Sequence, residues 1–213
     1  DFKTGTIADF DADGDLEVLS LYRYSYHKGV VYGPGGEIEI PNNGDYGVNI
    51  PFPHSVVALN LYGHEDQGLH YIVGGNNELQ KYHGVGEFVN TNGGDTGGCY
   101  LRMTAYEGGE GFPWVYASTD MSAVVAFRAE QERNDQWLIT PRQWGTVLGE
   151  RISALEITEV GGQPRLLVGT RPGGLWVLDA TTGDPVAKAA TTGTPVVRII
   201  TEGSAALAVH RLN

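Results

Sequence analysis

The sequence is short of the residues that mark redox, membrane and nucleic-acid proteins. Its 213 residues include one cysteine, Cys99, which excludes an internal disulfide framework and any multi-cysteine metal site. No segment reaches the ~18 uninterrupted apolar residues of a helix that crosses a bilayer. Charged residues make up only 19%, and 14 basic residues face 26 acidic ones, for a net charge of −12. That field repels a phosphate backbone, so nucleic acid is not an expected partner, while divalent cations and neutral sugars stay compatible. An acidic surface is equally common in soluble proteins that bind neither. A sustained 3.6-residue apolar period is missing, which argues against helices. Missing too are GxSxG, a P-loop and GxGxxG. The six histidines, His27, His54, His64, His70, His83 and His210, show no HExxH or other tight ligand spacing, so zinc is not supported.

What the chain has is glycine, 31 residues of it, with 10 prolines and 41% hydrophobic residues. This composition suits many short strands between tight turns. It also repeats. Thr6–Phe10, Val57–Leu61, Leu101–Ala105, Ser153–Ile157 and Val197–Thr201 open five similar units. Aligning Ala8, Ala58, Arg102, Ala154 and Arg198 gives spacings of 50, 44, 52 and 44, the length of one four-stranded propeller blade. Second strands are predicted at Glu17–Tyr22, His70–Gly74, Trp114–Ser118, Arg165–Gly169 and Ala205–Val209, and third strands at Gly29–Tyr32, Glu78–Tyr82, Ala123–Phe127 and Gly174–Leu178. Outer strands are predicted at Glu37–Ile40, Glu87–Asn90, Trp137–Thr140 and Pro185–Lys188. The fold expected is an all-β propeller of about four and a half blades in one region, with blades near 4–52, 53–97, 98–149, 150–194 and a partial one over 195–213. A β-sandwich or jelly roll also uses many short strands, but it does not call for one unit recurring at similar length.

The fifth unit has two strands, and only five residues precede the first predicted strand. An open half-blade exposes unpaired edges, which soluble proteins avoid. The expectation is therefore completion by further sequence of a longer chain or by other protein subunits. The start at Asp1, without Met or a signal-peptide pattern, fits a removed leader or a piece of a longer product.

The densest chemistry lies between the first two strands. Asp9, Asp11 and Asp13 alternate along a loop, Gly14 permits a sharp bend, Asp15 offers its carbonyl, and Glu17 returns a carboxylate at the second strand. Calcium takes six to eight oxygen ligands of these kinds. Five acids within nine positions repel one another unless a cation sits among them. The alternative is a solvated acidic turn that binds nothing. An EF-hand does not fit, because the twelfth loop position is Ser20 and helices are not expected. Equivalent turns at 63–68 and 107–111 lack alternating carboxylates, so one structural calcium site is expected.

The run Ala8–Glu17 resembles the calcium-binding repeat of FG-GAP and VCBS propellers, found in integrin-like heads and many secreted bacterial proteins. The run Leu178-Asp179-Ala180-Thr181-Thr182-Gly183, after Gly174-Leu175-Trp176-Val177, resembles the blade end of PQQ-like (quinoprotein-like) propellers. There a Trp follows the Gly by four residues and docks neighbouring blades; Ala187 stands in its place here. The resemblance implies a propeller and a Ca2+ site, and it implies no activity; a secreted, extracellular or periplasmic setting is expected because calcium loops of this kind work best where calcium is plentiful.

Other candidates each have an ordinary reading. Ser118–Val125 is a degenerate echo of the sialidase Asp-box, with Ser122 and Val125 replacing Gly and Trp, and reads as a plain hairpin. His64 beside Glu65 and Asp66 reads as an exposed turn. His70 and His83 fall on neighbouring predicted strands. Tyr22, Tyr24 and Tyr26 beside His27 offer aromatic faces that stack on sugars or meet a protein, whereas Trp114 and Trp176 suit packing between blades. The function expected is a calcium-stabilised extracellular module that binds or assembles with protein or glycan without catalysis. Part of a secreted polysaccharide lyase or glycoside hydrolase is the alternative, and a redox quinoprotein ranks third.

Overall fold

The computed structural model describes residues 2–9, 14–22, 29–35, 54–59, 70–75, 79–83, 87–89, 99–108, 113–131, 137–139, 143–189, 192–203 and 205–211. Among them there are strands and turns and no helix. The first sheet holds β1 (Phe2–Ala8), β2 (Glu17–Tyr22) and β3 (Gly29–Tyr32), and the second holds β4 (Ser55–Leu59), β5 (His70–Gly74), β6 (Leu79–His83) and β7 (Glu87–Val89). The third contains β8 (Tyr100–Tyr106), β9 (Trp114–Thr119), β10 (Ala123–Gln131), β11 (Trp137–Ile139) and β12 (Trp144–Val147). The fourth contains β13 (Ile152–Val160), β14 (Gln163–Thr170), β15 (Leu175–Asp179) and β16 (Pro185–Ala189), and β17 (Val196–Glu202) pairs with β18 (Ala205–His210). Within each sheet consecutive strands pair antiparallel, except that β12 pairs with β10 and not with β11.

First strands lie beside first strands: β1 by β4, β4 by β8, β8 by β13, β13 by β17. Sheets of this kind, meeting through their inner strands, are propeller blades. The core is accordingly a set of layers between sheets. Ile72, Tyr100, Val115, Ala117, Val125 and Phe127 close one layer. Tyr116, Val124, Ala126, Ile152, Leu166, Val168 and Leu178 close the next, and Ala154, Leu167, Val196 and Ile199 the last. Alternation explains this: odd and even residues of β9 and of β14 face opposite neighbours, so both faces are buried. Their buried segments, Trp114–Ala117 and Leu166–Val168, are therefore continuous apolar runs, as doubly covered strands are.

Two close approaches set the spacing of the layers. A Cβ added to Gly74 would sit 2.7 Å from Cβ of Tyr100, and one added to Gly169 would sit 2.5 Å from Cγ1 of Val196. Tyr100 and Val196 are the first residues of the next inner strands. Beside each glycine a serine hydroxyl bridges the same step: Ser55 Oγ donates to Tyr100 O at 3.0 Å, and Ser153 Oγ to Val196 O at 2.6 Å. Between the third and fourth sheets the step is made differently. Ser118 pairs with Arg102 as Gly169 pairs with Ala154, and the Arg102 Nε–H donates to Ser153 O at 3.3 Å.

The expected second strands are present, and the boundaries of first strands differ from those expected. β1 starts at Phe2 instead of Thr6, and β8, β13 and β17 each start one residue early. Pairing continues past the apolar run across a register shift, between Tyr100 and Arg102, Ile152 and Ala154, and Val196 and Arg198. The expected outer strand at Glu37–Ile40 lies outside the described residues. In the third sheet β10 pairs with β11 and also with β12, a strand absent from the sequence reading.

Gly169→Ala should cost about 1–3 kcal/mol, the usual range for overpacking a core. Ser118 is buried and its hydroxyl has no partner among the described residues; Ser118→Ala should be neutral or slightly stabilising, because no made bond is lost. Thermal unfolding of the two variants checks this. Equal destabilisation by both would contradict the layer geometry.

Candidate metal loop and ligand-facing clefts

The acidic loop is anchored at both ends. Asp9 follows β1 directly and Glu17 is the first residue of β2, opposite Ala8. Gly14 takes φ +96°, a conformation that side chains rarely adopt, and its amide donates to Asp9 Oδ2 at 3.1 Å. The other carboxylate oxygen, Asp9 Oδ1, is buried with no hydrogen-bond partner among the described residues. Glu17 is 1% exposed. The orphaned Asp9 oxygen suits a cation, since a buried carboxylate oxygen needs a compensating charge or donors, and Glu17 closes the other end of the same acidic turn. Asp15 is exposed on the same turn. Asp11 and Asp13 lie outside the described residues, and the described residues alone gather no group of three potential metal ligands.

Of the aromatic run, Tyr22 ends β2 opposite Phe2, whereas Tyr24, Tyr26 and His27 lie outside the described residues, as does His64. His70 and His83 are direct cross-strand partners in the register of β5 and β6. The Asp-box echo forms the β9–β10 hairpin, with Ser122 at φ +60°. Its Asp120 Oδ1 accepts from the Cys99 amide at 2.9 Å.

The blade-end run Leu178–Gly183 forms a tight turn. Asp179 Oδ1 accepts from the amides of Thr181 and Thr182 at 2.9 and 3.2 Å, and its other oxygen pairs with Arg165. Partial burial raises the Asp179 carboxyl, but those two amides and the guanidinium outweigh it and hold the group below the usual carboxylate range. Trp144 of the preceding sheet covers Gly183, where an added Cβ would meet its ring at 2.4 Å. The Trp144 Nε1–H donates to Ala180 O at 3.2 Å and Thr146 Oγ1 to Gly183 O at 2.7 Å. Trp114 stacks on Tyr116 and lies under Arg128; Lys188 sits 4.2 Å over Trp176.

The structure also gathers residues that sequence reading left apart. A cleft of about 300 Å³ is lined by Arg102, Ser153, Arg171, Pro195, Val197 and Arg211. These come from the beginnings of β8, β13 and β17 and from the ends of β14 and β18. The available signal was positional: Arg171 and Arg211 are each the first residue after a second strand. Their amides donate to Arg151 O and Pro195 O, as the amide of Asp120 does to Cys99 O.

No family profile and no curated protein matches the sequence. Solved structures share the fold. The computationally designed Ika8 protein superposes with a TM-score of 0.58 at 10% identity, covering 96% of this chain and 66% of Ika8. BamB from Moraxella catarrhalis gives 0.53 at 15%, covering 94% of this chain and 50% of BamB. BBS1N, solved in complex with ARL6DN, gives 0.50 at 11%, covering 97% and 75%. The chain thus spans just under two thirds of Ika8 and half of BamB. Likeness at these identities shows a propeller-like fold and nothing of activity.

Asp179 yields a pH prediction. Because its folded carboxyl lies below the unfolded value of about 3.9, the stability it contributes is complete above that value and is lost as pH falls through the folded one. Asp179→Asn keeps an acceptor for the two amides and removes the ion pair. Its cost at neutral pH should stay within about 1 kcal/mol, and the difference from the parent should shrink below about pH 4. Denaturant unfolding from pH 2 to pH 7 measures this; a difference that is constant over the range would contradict it.

Proposed function

We propose that the chain is a calcium-stabilised, secreted β-propeller of the FG-GAP/VCBS type with PQQ-like blade ends, serving as a noncatalytic binding or assembly module for protein or glycan. The observation that carries the reading is the acidic turn after β1, with its orphaned Asp9 oxygen, its Gly14 bend and its buried Glu17. The side chains of Asp9, Asp11, Asp13 and Glu17 and the carbonyl of Asp15 would hold the ion. Bound there, calcium neutralises the repulsion among the acids and ties the end of β1 to the start of β2. Sites of this class suit the calcium levels outside cells, which supports the extracellular assignment.

β2 couples the loop to the proposed contact surface. It begins at Glu17, buries Leu19 completely and ends at Tyr22, from which Tyr24, Tyr26 and His27 follow. Tyrosine faces present large contact area at low entropic cost, which suits sugar rings and protein surfaces alike.

Thermal unfolding with calcium and with EGTA tests the metal. At a hundredfold excess over Kd a ligand bound only by the native state adds about 2.7 kcal/mol. The Asp11→Ala, Asp13→Ala double variant should lose that gain, and an EGTA-insensitive parent would overturn the calcium site. Incubation with acidic and neutral polysaccharides tests the noncatalytic part, since turnover by the chain would point to a lyase or hydrolase.

A further inference from the structure

We infer that the cleft between Arg102, Arg171 and Arg211 is an anion site that takes a phosphomonoester group. In a chain of net charge −12, three of 14 basic residues converge on one opening of about 300 Å³, and its described lining contains no carboxylate. The two ion pairs formed among the described residues are Arg165 with Asp179 and Lys188 with Glu150; neither Arg171 nor Arg211 enters them. Both are exposed.

Two described acids are engaged elsewhere, one bonded to the neighbour of Arg171 and one at the equivalent place in another sheet. Glu150 accepts from the hydroxyl of Thr170, the neighbour of Arg171, and is held by Lys188. Its carboxyl lies below the ordinary range, chiefly through the Lys188 contact. Asp120, at the equivalent place in the third sheet, is turned to the Cys99 amide. Ser153 Oγ is committed to Val196 O, so the cleft's hydroxyl is not its charge-seeking group.

Arg102 is oriented before any ligand arrives. Its Nε–H donates to Ser153 O at 3.3 Å and its Nη1 to Leu101 O at 2.7 Å. A guanidinium has five N–H donors in a planar fork, so donors remain for an incoming oxyanion. Three guanidiniums match a dianionic phosphate with three acceptor oxygens better than a carboxylate, which fills one fork. A volume near 300 Å³ lies at the small end of ligand pockets, enough for a phosphoryl group and part of what carries it. At physiological ionic strength the Debye length is about 8 Å, so distant acids are screened while the guanidiniums act at contact.

The site does not depend on the calcium loop, and its test is run in EGTA so that the two readings fail separately. The probe is inorganic phosphate at constant ionic strength, titrated by calorimetry and by NMR, with acetate and sulfate as comparison anions. Phosphate should bind and should perturb the Arg171 and Arg211 side chains, more weakly displaced by sulfate and least by acetate. Arg171→Gln and Arg211→Gln should each weaken binding about tenfold, the scale of one charge-assisted hydrogen bond, with unchanged melting temperatures because both side chains are exposed. Arg171→Lys keeps the charge without the fork and should weaken binding by less. Arg165→Gln removes an equal charge at the far end of β14 and should leave phosphate binding intact. Absence of phosphate binding, an affinity no greater than that for acetate, or equal losses in Arg165→Gln and Arg171→Gln would overturn the site.

Discussion

The structure depends on how closely one inner strand approaches the sheet before it. At two steps the approach is set by a glycine on the second strand, Gly74 or Gly169, against which the first residue of the next inner strand rests. A serine hydroxyl, Ser55 or Ser153, bridges each step. A larger side chain at either glycine would hold the sheets apart and open the apolar layers, and interiors tolerate such gaps poorly. At the intervening step a serine, Ser118, occupies the glycine's place and a guanidinium spans the junction instead. One residue, Arg102, thereby serves the fold and lines the cleft.

This arrangement explains which parts of the sequence were readable. The second strands Trp114–Thr119 and Gln163–Thr170 are covered on both faces over much of their length, so burial wrote apolar runs into them at Trp114–Ala117 and Leu166–Val168. First strands were harder, because they extend past their apolar segments across a register shift. Residues such as Leu101 and Ser153 at those shifts follow neither alternation nor a turn pattern. β12 was illegible for another reason. Trp144-Gly145-Thr146-Val147 is half exposed in alternation and short, and its packing partner, Gly183, lies in the next sheet. Trp144 docks on the Ala180–Gly183 turn of the neighbouring sheet, a contact that no local sequence pattern announces.

The candidate sites divide in the same way. The acidic loop is contiguous, so its acids and its glycine announce themselves in nine residues. The arginine cleft is assembled from positions 102, 171 and 211, which become neighbours only once three sheets are stacked. Each arginine alone is an ordinary exposed residue of an acidic protein. Their common feature is location where second strands end or inner strands begin, a place that the repeat defines and composition does not.

Amide hydrogen exchange tests the stacked-layer account most directly. If the inter-sheet layers carry the stability, amides of β9 and β14 share the slowest exchange class and open together, while β16, exposed along its length, exchanges far faster. Gly169→Ala should then lower protection in β14 and β17 together. Independent opening of the third and fourth sheets, or protection of β14 no greater than that of β16, would contradict it.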